Sequence, residues 1–255
     1  MAAGGEGITK SSLRFTDIVG EPSEPIALIH GYEKMPLISL EEAVKPLVSI
    51  LPDVQYHASI AKKNCKNPDN GLTQDESASI MLYTMEWIPH NQSLYVVLNT
   101  TLRLEGRERK LKPWHLYLRL FLNALFRLPT LRITAYRRVR LDLSKHYIKG
   151  ETIIWWDFSD CTTSVSALES EHFLETTDVR TMFIIQCQTA KDIREHSFVK
   201  SEDTVLLMAG TQFKVISCLK QGDLHVIQLE ETLPSVSLLQ PVPKIVPSHI
   251  KPIAT

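Results

Sequence analysis

An α+β fold is predicted by two textures that do not mix along the chain. Before residue 130, apolar residues recur at helical spacing behind capping residues, and prolines punctuate the segments. After it come short β-branched and aromatic runs separated by turn residues. Helices followed by strands, with no internal repeat, describe a helical layer set against a sheet. At 255 residues and 44% hydrophobic content, the chain can bury a core without disulfides.

The elements follow in order. Residues 1–25, with Gly4, Gly5, Gly7, Pro22 and Pro25, form a small, polar, flexible lead-in. Structure begins near Ile26. Ser39 and Glu42 make a capping box for a first helix through Leu51, and Pro46 kinks or breaks it. Ile60–Lys66 is a short helix before the turn Lys66–Gly71. Thr73 and Glu76 cap a helix running to about Glu86, ended by Pro89. Ser93–Arg103 carries strand-like β-branched residues. Its cap at Ser93 and the shared side of Leu94, Val97, Leu98 and Leu102 nevertheless give a helix.

Pro113 opens a helix to Leu128. His115, Arg119, Asn123 and Arg127 repeat every four residues along it, and are read as a solvent-facing stripe. Strands are predicted at Leu131–Tyr136, Thr152–Phe158, Thr181–Gln188, Thr204–Met208, Gln212–Cys218 and His225–Leu229. Residues 26–231 thus form a single domain, and 232–255 a proline-rich tail, extended and disordered at its end.

Composition excludes several functions. The four cysteines lie far apart, without the pairing or nearby histidines of a zinc site, so no metal is expected. No apolar leader or stretch of spanning length occurs, so an intracellular, cytoplasmic protein with no membrane partner is expected. The net charge of −1 is unevenly spread: residues 101–145 hold 12 Lys and Arg against 3 Asp and Glu. No nucleic-acid motif accompanies that basic block. It is read as helix surface plus a pocket for one phosphorylated ligand rather than as a nucleic-acid surface.

Three motifs carry chemistry. Tyr136-Arg137 ends an apolar strand; Phe158-Ser159-Asp160-Cys161-Thr162 is a hydroxyl-rich strand; Glu202-Asp203-Thr204-Val205-Leu206-Leu207 sets acids before another strand. Their order and spacing, with the helix start near Leu72 and L-Y-V-V-L-N-T-T-L-R at 94–103, resemble the arginine-specific mono-ADP-ribosyltransferases over roughly residues 28–230. The resemblance implies that family's fold, an N-terminal helical half packed on a β-rich core of mainly antiparallel strands. It implies NAD, or NADP, as substrate, and an acceptor protein with an exposed arginine.

Roles carry over by position. Arg137 is implied as the residue that pairs with the NAD pyrophosphate, because a guanidinium fork matches phosphate oxygens. Tyr136, Arg138, Phe158 and Ser159 are implied around the cofactor, with Phe158 lining the nicotinamide pocket. Glu202 matches the acid that directs the acceptor arginine. Two positions depart from the family: Asp160 stands where it has serine, and Thr204 where it has the catalytic glutamate. Strand alternation turns Ser159 and Asp203 away from those positions. Asp157 and Asp160 add acid beside a dianionic ligand, and Arg138 stands where many members have glycine. Two functions follow, an NAD-dependent protein-arginine ADP-ribosyltransferase and a pseudoenzyme that keeps the fold for NAD binding or protein interaction.

Overall fold

The computed structural model describes residues 28–164, 179–200 and 203–242. The predicted lead-in, Glu202 and the end of the tail fall outside the described residues. The helical half comprises α1 (Leu40–Ala43), α2 (Val54–Asn64), α3 (Gln74–Thr84), α4 (Leu94–Arg103), α5 (Arg107–Leu111) and α6 (His115–Arg127). Ser39 caps α1 by accepting from the Glu42 N–H. Pro46 breaks the predicted first helix into α1 and a 3₁₀ turn at Lys45–Leu47, since it lacks the N–H a continuing helix needs. The capping box at Thr73 is complete: Glu76 N donates to Thr73 Oγ1 at 3.2 Å, and Thr73 N to Glu76 Oε2 at 2.7 Å.

The middle of the stripe on α6 is not solvent-facing: Arg119 and Asn123 are 6% and 7% exposed, while His115 is half-buried and Arg127 exposed. Asn123 Nδ2 donates to Glu76 Oε1 at 2.6 Å and Arg127 Nη1 to Glu76 Oε2 at 2.5 Å, while Arg119 Nε donates to the Met35 carbonyl. A carboxylate buried on α3 requires donors, and α6 supplies them.

The strands are β1 (Thr130–Val139), β2 (Thr152–Trp155), β3 (Ser159–Thr162), β4 (Arg180–Asp192), β5 (Thr204–Leu207), β6 (Thr211–Gln221) and β7 (Leu224–Thr232). They form one sheet in the order β1-β3-β5-β4-β7-β6-β2, antiparallel except for β4–β7. β1 also pairs with β4, so β1, β3, β5 and β4 close a ring of pairings. The β1–β4 register shifts between Leu131 and Ile133. Buried Glu231 of β7 accepts from the backbone N–H groups of Gln188 and Thr189 and from the Thr189 hydroxyl, satisfying donors that the irregularity removes from the ladder.

One predicted strand is shortened. Of the run 152–158 only Thr152–Trp155 is strand, β2, paired with β6, and a further strand, β3, starts just beyond the run at Ser159, paired with β1 and β5. Between them Asp157 turns to an ion pair with Arg103, and Asn99 takes both backbone polar groups of Phe158. Those groups are thereby withdrawn from any strand ladder.

Two cores result. One joins the helices to Trp156, Phe158, Leu206 and Leu239; the other lies among the strands around Trp155, Phe183, Ile185 and Phe213. The first residues of the tail belong to the domain. Ile29 N donates to the Leu238 carbonyl at 2.9 Å and Gln240 N to the Ile29 carbonyl at 3.0 Å. Leu238 rests on the turn at Gly210, whose φ of +77° and 3.0 Å clearance to Leu238 Cβ both favour glycine. Among the described residues no helix is long and apolar enough to cross a membrane.

Candidate active site

The site begins with strand register. Tyr136 lies opposite Thr162, and Thr162 opposite Thr204. Residues opposite one another in antiparallel strands share a face, as do residues two apart. Tyr136, Arg138, Asp160, Thr162 and Thr204 therefore lie on one face, that of Leu206 and the helical core. Arg137, Ser159, Cys161 and Val205 point to the other.

The doubled arginine is thus split across the sheet. Arg137 sits opposite Phe183, 4% exposed, with its guanidinium carbon 5.4 Å from the Trp155 ring centroid. Burial pushes the Cys161 thiol up to about 12; the charge of Arg137 opposes that rise and those of Asp160 and Asp157 add to it. The same Arg137 charge opposes the rise at Tyr83 in the helical core, so it is felt on both faces of the sheet. Nε and Nη1 of Arg137 are buried without a hydrogen-bond partner. Leaving such donors unpaired costs free energy, about 1–3 kcal/mol each, unless a ligand completes them.

On the other face, Thr204 is 1% exposed and Asp160 5% exposed. Asp160 also faces the helices, where its charge helps raise the Tyr83 hydroxyl, after burial, well above its ordinary range. Asp203 is exposed and 3.6 Å from Arg194, away from Thr204. Ser159 is turned from Asp160 and donates to Asp157 Oδ1 at 3.2 Å.

Two further side chains stand apart from the sequence expectation. Asp157 does not add a free negative charge, because Arg103 of α4 pairs with it. The Phe158 ring is 1% exposed and packs edge-on to Tyr83 and Phe121, at 5.9 and 5.1 Å, within the helical core. Tyr83, Asn99 and Arg103 were not singled out from sequence. The spacing of Asn99 and Arg103 on one side of α4 was the available signal.

The segment before β5 is also anchored. Buried His196 lies 2.9 Å from Ser77 Oγ and 3.3 Å from Asn70 Nδ2, and Phe198 N donates to Thr84 Oγ1 at 2.8 Å. No group of three or more His, Cys, Asp and Glu among the described residues is placed to hold a metal. The residues present fit an anion: a buried guanidinium with unpartnered donors. At position 204 the side chain is a hydroxyl and carries no charge.

Residues 51–236 match the family model for NAD:arginine ADP-ribosyltransferase. No curated protein matches in sequence. Among solved structures, the ADP-ribosyltransferase Vis, a toxin from Vibrio splendidus, is 19% identical with a TM-score of 0.51, covering 81% of this chain and 92% of its own. The ADP-ribosyltransferase HopU1 of Pseudomonas syringae is 19% identical with a TM-score of 0.53, covering 73% and 86%. The Clostridium limosum C3 exoenzyme is 11% identical with a TM-score of 0.52, covering 71% and 95%. At these identities the likeness establishes a shared fold.

Proposed function

From the premise that the chain belongs to the NAD:arginine ADP-ribosyltransferase family, we propose that it binds NAD through Arg137 and transfers ADP-ribose slowly to arginine side chains of an acceptor protein. NADP is a second substrate of the same chemistry. The observation that carries the reading is the Arg137 guanidinium, whose two buried, unpartnered N–H groups fit the oxygens of a pyrophosphate. Arg138 brings a second cation to the face of Asp160 and Thr204. Glu202 directs the acceptor arginine.

The rate is limited at position 204. A carboxylate there would offset positive charge developing on the ribose as nicotinamide leaves; the Thr204 hydroxyl carries no charge. Losing about 3–4 kcal/mol of such stabilisation slows the step roughly a hundred- to a thousandfold. The same observation favours a second reading, an NAD-binding module with no turnover.

The reading is tested by incubating the Thr204→Glu variant, whose transfer should be readily detectable, with labelled NAD and an arginine-rich acceptor. Mass spectrometry should place the label on arginine. Label on another residue type contradicts the arginine assignment, and no label in a variant that binds NAD favours the binding module.

A further inference from the structure

Three side chains spaced four apart in sequence hold three consecutive residues between β2 and β3. Asn99 Nδ2 donates to the Phe158 carbonyl at 3.0 Å, and Asn99 Oδ1 accepts from the Phe158 N–H at 3.2 Å. Arg103 pairs with the Asp157 carboxylate. The Arg107 guanidinium lies over the Trp156 ring at 4.3 Å. Tyr83 adds a fourth contact, its hydroxyl donating to the Phe158 carbonyl at 3.2 Å and accepting from Asn99 Nδ2 at 3.1 Å. Phe158, Asn99 and Tyr83 are all buried.

This grip is more elaborate than strand termination requires. A chain leaving one strand for another is ordinarily satisfied by turn hydrogen bonds or water. Here the backbone of Phe158 is fixed at both its donor and its acceptor by one amide side chain. Asp160 follows two residues later and directly faces Leu206 in the β3–β5 register, with Thr162 facing Thr204. Phe158 directly precedes Ser159 and Asp160, the first residues of β3, so its placement sets where that strand begins.

We propose that Asn99 and Arg103, with Tyr83 and Arg107 in support, are positioning residues for the nicotinamide–ribose end of bound NAD. They act by fixing the Trp156–Phe158 turn and hence the stance of Asp160 beside Thr204. This rests on the NAD-binding reading above. None of these four residues needs to touch the ligand. Arg137, on the neighbouring strand β1, makes none of these contacts and holds the pyrophosphate.

The test compares NAD with ADP, which has the pyrophosphate but lacks both the second ribose and nicotinamide. Dissociation constants for both are measured by calorimetry on the full chain and on Asn99→Asp, Arg103→Met, Arg103→Lys and Tyr83→Phe, beside thermal melts. Asn99→Asp keeps the acceptor and loses the donor. It should weaken NAD about tenfold relative to ADP, the cost of one charged or mispaired buried hydrogen bond. Arg103→Met should act in the same sense, Arg103→Lys should restore most of the preference, and Tyr83→Phe should have the smallest effect. Equal loss of both ligands, or loss that tracks melting temperature alone, means that these residues only stabilise the fold, and overturns the proposal. If Asn99→Asp does not fold, the Arg103 pair and Tyr83→Phe decide the matter. Failure of the unaltered chain to bind either ligand removes the NAD reading itself, a different outcome from a lost preference.

Discussion

Two buried charges in this protein are built to opposite rules. Glu76 on α3 is surrounded: the Thr73 N–H, the Asn123 amide and the Arg127 guanidinium all donate to its carboxylate. Arg137 on β1 is equally buried, yet Nε and Nη1 have no partner. The first is a charge whose desolvation is offset within the fold, tying α3 to α6 and sealing a helix start. The second is a charge the fold leaves uncompensated at two of its nitrogens, and the proposed function gives that role to a bound anion. On that proposal one cluster serves stability and the other binding.

The sharpest way to break it is Glu76→Ala. Removing the carboxylate strands Asn123 and Arg127 and opens the α3 cap, and should cost about 3 kcal/mol of folding stability. Chemical denaturation checks this, with NAD affinity expected to be unchanged in the folded fraction. Arg137→Met should do the reverse. Its loss removes a charge-assisted, bidentate contact worth about 2–3 kcal/mol to the ligand, so NAD affinity falls at least about thirtyfold. Folding stability should stay level or rise, because an unpartnered buried cation is replaced by an apolar chain. A large stability loss in Arg137→Met would erase the distinction.

The next effect is in the acid limb of stability. Burial pushes the Glu76 carboxyl up, but the Thr73 N–H and Arg127 outweigh it and hold it below the ordinary glutamate value. Its folded-state value is therefore below its unfolded one. The stability it contributes is whole above the ordinary value and is lost as pH falls through the lowered one. Melting temperature followed from pH 7 downward should fall more steeply below about pH 4.5 in the unaltered chain than in Glu76→Gln.

The smallest effect concerns the segment before β5. Burial is the largest influence on His196 and lowers its value, with Asp69, Glu195 and Asp192 opposing and Lys200 assisting. The neutral ring is the form that fits Ser77 and Asn70. Its contribution is whole above the ordinary histidine value of 6.5 and is lost as pH falls through the lower folded value. Protection from amide exchange around residues 194–200, taken relative to the intrinsic rate at each pH, should fall between pH 7 and 5.5, and the change should be absent in His196→Gln.

The split between these two clusters also marks what was legible in sequence. The caps at Ser39 and Thr73 and the break at Pro46 depend on residues three or four apart, so local pattern reveals them. The Glu76 network was not legible: Asn123 and Arg127 lie 47 and 51 residues away, and a four-residue polar repeat looks the same whether it faces water or a buried carboxylate. The run 152–158 has continuous strand character, and contacts such as that of Arg103, 54 residues before Asp157, show why β2 stops at Trp155. Within the site, alternation along one strand separated Ser159 from Asp160. That alternation starts the Arg137 and Thr204 side chains from opposite faces depends on the pairing of β1 with β3 and of β3 with β5, which no local pattern encodes. The same non-local pairing left Asn99 and Tyr83 unnoticed.

The central claim is that this chain keeps the means to hold NAD and lacks the charge that drives its chemistry. It is tested most directly by the initial rate of ADP-ribose transfer to an arginine acceptor, measured at saturating NAD in the unaltered chain and in Thr204→Glu. The account predicts comparable NAD affinity in the two and a rate at least about a hundredfold higher in the variant, the equivalent of about 3 kcal/mol at the transition state. Equal rates in the two proteins would contradict it.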